Sequence, residues 1–125
     1  MAKLVNDTVL DQALNYIKNN STRVCVCASQ PTTYSQAITS YKLADKSINS
    51  THFGSPANGD ASGRKIAVNA QSSVSIDSTG SAAHVALVKV ASTALLYVTT
   101  TTTTGLTAGG KVNIGTWSIE IADPT

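Results

Sequence analysis

The chemistry open to this chain rests on two cysteines, two histidines and seven carboxylates, set among abundant serine and threonine hydroxyls. A serine or cysteine nucleophile needs a base within hydrogen-bond reach and an acid to orient that base. His84 is the one base candidate inside an ordered run, yet it stands between Ala83 and Val85 in the most apolar segment, a setting that suits a packed or interfacial histidine. His52 follows Thr51 and precedes Phe53 in a turn-rich stretch and has no sequence neighbour to work with. Cys25 and Cys27 share one face of a strand, with parallel side chains at the limit of disulfide reach. They read as buried, reduced thiols. A metal site would need further cysteine or histidine ligands at suitable spacing, so the sequence assigns no metal ligand.

The carboxylates Asp7, Asp11, Asp45, Asp60, Asp77, Glu120 and Asp123 fall mostly at a helix start or at turns, where Asp makes local hydrogen bonds. Glu120 alternates with Ile119 and Ile121 and is expected to face outward, so no acid–base dyad assembles. Glycine-rich stretches match neither phosphate-binding spacing, and Asn58, Gly59 and Asp60 lack the acidic series of a calcium loop. No catalytic or cofactor-binding residue emerges, and the expectation is a protein without enzymatic activity or cofactor.

Composition points the same way. The 125 residues fit one domain able to bury a core without metal or disulfides. Net charge is +2, with nine basic residues scattered along the chain and no interleaved aromatics, which argues against a nucleic-acid partner. Charged residues are 13% of the chain, against about 25% in ordinary domains; such a surface is cheaper to desolvate and suits a subunit packed among neighbours. No apolar core of signal-peptide length opens the sequence, and no stretch approaches a membrane span. Synthesis in the cytoplasm, with no membrane partner, is the expectation.

The elements that must position these groups are legible in outline. Asn6 can cap an amphipathic helix within residues 1–20, whose stripe is Leu10, Ala13, Leu14 and Ile17, with Asp7 and Lys18 complementing its dipole. Residues 21–62 hold a first strand at 23–29, with Val24 and Val26 on one face and Cys25 and Cys27 on the other. A loop at 30–40, short irregular strands at 41–44 and 46–49, and an exposed, mobile connection at 52–63 follow. Residues 63–125 form an antiparallel β core. Ile66, Val68 and Ala70 point inward there, followed by Val74 and Ile76. Residues 82–90 make a central strand with Val85 and Leu87 opposite Ala86, Val88 and Val90, and a tight turn at 90–93 leads into 95–98. The threonines at 99–104 read as a strand end passing into a hydroxyl-rich loop, at an edge that can touch another subunit. In the last strand the inward set changes phase at Gly115, which predicts a β-bulge there. The predicted fold is therefore mainly β: an N-terminal α-helix followed by an antiparallel β-sandwich or small barrel-like sheet.

The helix over 4–19, the segment 59–65, the strands at 83–88 and 95–100, the glycine turn at 106–110 and the ending from Trp117 to Pro124 together resemble small structural proteins of tailed bacteriophages. The likeness spans nearly the whole chain and is one of arrangement, without a diagnostic motif. It implies a virion protein: a capsid decoration (cement) protein, or alternatively a fibre or tail component or a receptor- or glycan-binding module. Its implied partners are the major capsid protein, copies of itself, or both, with no small-molecule substrate. The helix and the region 31–53 are the expected contact surfaces, through Leu10, Leu14, Ile17, Tyr34, Tyr41 and Phe53.

Overall fold

Apolar residues that recur every three to four positions coil the start of the chain, and the structure, a computed structural model describing residues 4–124, carries that helix, α1, as Asp7–Asn20. Asn6 caps it, its side-chain oxygen accepting from the Thr8 amide at 2.8 Å. Among the described residues nine strands follow: β1 (Arg23–Cys27), β2 (Lys42–Ser47), β3 (Ala57–Asn58), β4 (Arg64–Val68), β5 (Gln71–Ser75), β6 (Gly80–Lys89), β7 (Ala94–Leu106), β8 (Lys111–Ile114) and β9 (Trp117–Ile121). All pair antiparallel, in a four-stranded sheet β2-β1-β6-β7, a three-stranded sheet β3-β4-β9 and the pair β5-β8.

Alternation along β1 and β6 divides the interior. Val24, Val85 and Leu87 meet Ile66, Val68 and Ile119 of the smaller sheet together with Leu14 of α1. Beside them, Val26, Leu43, Ala82 and Leu106 meet Val74 and Ile76. The four-stranded sheet therefore packs face to face on the two smaller ones, a sandwich-like arrangement with α1 laid against β4. On the far side Cys25, Cys27, Ala86 and Val88 are roofed by a helical turn at Gln36–Ser40 through Ala37, with Tyr34, Ile38 and Tyr41 around it. The two-faced reading of β6 is thus correct for Val85 and Leu87 against Ala86 and Val88, while Val90 lies beyond the strand, exposed in a turn.

Several expectations need correction. Residues 30–40 contain that helical roof where a plain loop is expected, and 42–47 form one strand. Ala70 is exposed, because β4 ends at Val68 and the chain turns there. Phe53 is buried through a bridge to Val68, which pins the connection that follows it. That connection closes tightly: the Gly59 amide donates to the Gly63 carbonyl at 2.9 Å, and Gly63, at φ +69°, lies against the Ile121 carbonyl where a Cβ would clash. The phase change at Gly115 is real, with Val112, Ile114, Trp117, Ile119 and Ile121 all turned inward, but its cause is a change of sheet rather than a bulge: β8 pairs with β5 and β9 with β4.

Candidate functional site

Most of the groups singled out for chemistry are engaged in holding the fold. Every carboxylate with a described contact meets a cation or an amide: Asp11 takes the Arg64 guanidinium on both oxygens at 2.8 and 3.2 Å, fastening α1 to β4. Asp45 pairs with Arg23 and Lys42, Asp77 with Lys42, and Asp60 with Lys65. Glu120 faces outward and accepts from the Ala61 amide at 3.2 Å. His52 Nδ1 accepts from the Asn49 amide at 3.0 Å, completing a capping box around the Ser50–His52 turn. His84 is half-buried, with Nδ1 unpartnered, and its neighbours in register are Cys27 and Thr100. Among the described residues no three of His, Cys, Asp and Glu converge.

The thiols are free and buried. Burial pushes Cys25 up to about 12, helped by the neighbouring Cys27 and Asp45, and burial alone pushes Cys27 up to about 11. A thiol so far from its thiolate is a poor nucleophile. The Cys27 Sγ instead donates to the Ala37 carbonyl at 3.6 Å, stitching the roof to the sheet.

Of the expected contact residues, Leu14, Leu10 and Phe53 are 0%, 7% and 5% exposed. Their apolar surface is satisfied inside the chain, so they are core and not contact residues. Ile17 packs on that same core, and Tyr34 and Tyr41, half-buried, cover the cysteine layer. The outer face of α1 instead presents Val9 and Tyr16, 61% and 58% exposed and two turns apart.

What the structure does leave open is β7. The threonines at 99–104 do not pass into a loop: they remain in the strand, at the edge of the four-stranded sheet. Across from them, His84 faces Thr100 and Ala82 faces Thr104, so two extra residues of β7 arch away from β6. The arch is braced by the Thr104 hydroxyl donating to the Thr102 carbonyl at 3.1 Å. Beneath it lies a cleft of about 320 Å³, bounded on its other side by the chain from Val112 to Ser118. Buried Val26, Val85 and Leu106 form its base, exposed Thr100, Thr102 and Asn113 its rim, and among the described residues no charged side chain lines it. Trp117, at one end, is stacked on Tyr97 with ring centroids 5.9 Å apart, and its indole N–H is buried without an acceptor. The signal for this region was present in the sequence as a segment without charge from residue 94 to 110.

No family model, curated protein or solved structure matches this chain. No helix among the described residues is long and apolar enough to cross a membrane.

Proposed function

We propose that the protein is a non-enzymatic structural subunit of a tailed-bacteriophage virion, a capsid decoration protein that stabilises the head lattice through contacts with the major capsid protein, with copies of itself, or with both. The observation that carries this reading is the β7 edge. Its first half exposes part of Leu95, Leu96, Tyr97 and Val98, its second half is threonine, and neither half holds a charge. An edge strand offers unpaired N–H and C=O groups to any chain able to pair with it, and proteins that stay apart blunt such edges with charge, proline or cover. Strand addition here gains backbone hydrogen bonds without desolvating an ion. Repeated over many lattice positions, a weak contact of this kind becomes strong through multivalency. The 13% charge content and the resemblance in arrangement to small phage structural proteins support the same reading.

The test is to purify virions, quantify the chain in them and image a label fused to it. The proposal predicts label over the head shell, in copy number comparable to capsomers. Label confined to the tail or fibres, or a chain left wholly in the soluble lysate, would refute the capsid assignment.

A further inference from the structure

The cleft beneath the threonine arch has a chemistry of its own, separate from the edge that borders it. Its lining combines a buried apolar base, a rim of hydroxyls with the Asn113 amide, and, among the described residues, no charge. A charged ligand entering it would lose hydration and find no counter-charge, so ions are disfavoured. Threonine hydroxyls each donate and accept, and the Asn113 amide keeps its NH2 donors while its oxygen accepts from the Ser73 amide at 2.9 Å. That inventory matches a ligand whose own polar groups also donate and accept, and whose remaining surface is C–H. Trp117 lines one end of the cleft, but its indole N–H is buried from solvent and out of reach of a ligand there. A second observation is the arch, which the sheet alone does not explain, since pairing with β6 continues on both sides of it. Its extra residues place Thr101 and Thr102 in the cleft wall.

We propose that this cleft is a binding site for a neutral saccharide, one sugar ring or the end of a short neutral oligosaccharide. A C–H face rests on the base of Val26, Val85 and Leu106, and the sugar's hydroxyls engage threonine hydroxyls of the arch, Thr102 among them. At about 320 Å³ the cleft sits at the small end of the range of roughly 300–1,000 Å³ for ligand pockets, which suits a single ring. Binding is not turnover: no group with perturbed acid–base behaviour lines the cleft, and the sugar is held unchanged.

Trp117 is the only tryptophan in the chain, so its emission reports on the cleft directly. The intact protein is titrated with glucose, galactose, mannose, N-acetylglucosamine and their neutral oligomers, with glucuronic and sialic acids as charged counterparts, and ligand-observed saturation-transfer NMR is recorded in parallel. The expected result is a saturable change in emission and saturation transfer for at least one neutral sugar. Affinity should fall about tenfold or more in Thr102→Val, which keeps the shape and removes a hydroxyl, followed by both methods after its fold is checked by circular dichroism. Three results overturn the proposal: no neutral sugar binding by either method, charged sugars binding as well as neutral ones, or binding unchanged in folded Thr102→Val.

Discussion

The two edges of the four-stranded sheet are opposites. At β2 the outer side is covered: the Asp77 and Ser78 amides donate to the Leu43 carbonyl at 2.7 and 3.1 Å, and Ala44 bridges to Ile76. Charge reinforces the cover, with Lys42 between Asp45 and Asp77 at 3.5 and 3.1 Å, Arg23 on Asp45, and Lys46 reaching the Ser72 carbonyl at 3.3 Å. At β7 the strand order simply ends, on a longer strand with no charge along it. Both edges belong to one sheet and share one core, so the difference is not a matter of fold. One edge is closed against partners and the other is left able to take one.

The largest effect expected from breaking this contrast comes from placing a charge on the open edge. If β7 makes the proposed capsid contact, Thr100→Lys would bury an unpaired ammonium there, at a cost of about 3–5 kcal/mol, and weaken association with phage heads by roughly a hundredfold or more in a cosedimentation assay. The mirror change on the closed edge, Lys46→Thr, should leave association unchanged. Next in size is Asp45→Ala. It removes a carboxylate that is 13% exposed, leaving Arg23 without its partner and Lys42 with Asp77 alone, so a loss of about 1–2 kcal/mol is expected in urea unfolding, below the figure for a fully buried pair.

Smaller still is a pH effect confined to β2. The hydrogen bond from Lys42, opposed by some desolvation, holds the Asp77 carboxyl below its usual range. A depressed carboxyl stabilises the fold above its unfolded value, and that stabilisation is lost as pH falls through the folded value. Lys42 is pulled down by desolvation but raised on balance by Asp77 and Asp45, so its contribution is lost only as pH rises past 10.5. Amide exchange on β2, corrected for its intrinsic pH dependence, should therefore quicken below about pH 4, while β7, which has no carboxylate or cationic side chain, changes only with the whole fold. The smallest effect concerns the layer joining both edges. With Cys25 raised to about 12 from 9.0, its thiolate fraction at neutral pH is about a thousandfold lower, so neither thiol should react with a thiol reagent until urea unfolds the chain. Asp45→Ala, next to that layer, should advance the reaction to lower urea, and Thr100→Lys should not.

Much of this architecture was readable in the residues because it depends on local period. The Asn6 cap, the stripe through Leu10 and Leu14, and the opposed faces of β6 follow from spacing alone, and each is present. What escaped depends on partners far along the chain. Phe53 sits among turn-forming residues with no period to mark it, and only its bridge to Val68 draws it inward. The phase change at Gly115 was visible, but whether it meant a bulge or a change of sheet depended on β8 meeting β5 and β9 meeting β4. Threonine fits strand and loop alike, so the run at 99–104 is settled by β6 and not by its own composition. The cleft was invisible for the same reason: its two sides come from segments that share no local pattern.

Hydrogen–deuterium exchange, read strand by strand on the free chain and on the chain bound to phage heads, tests the assignment of the open edge most directly. The account predicts that amides from Tyr97 to Thr104 gain protection on binding while those of Lys42 to Ser47 stay as they were. Equal exchange at β7 in the free and bound states, or new protection concentrated on β2, would contradict it.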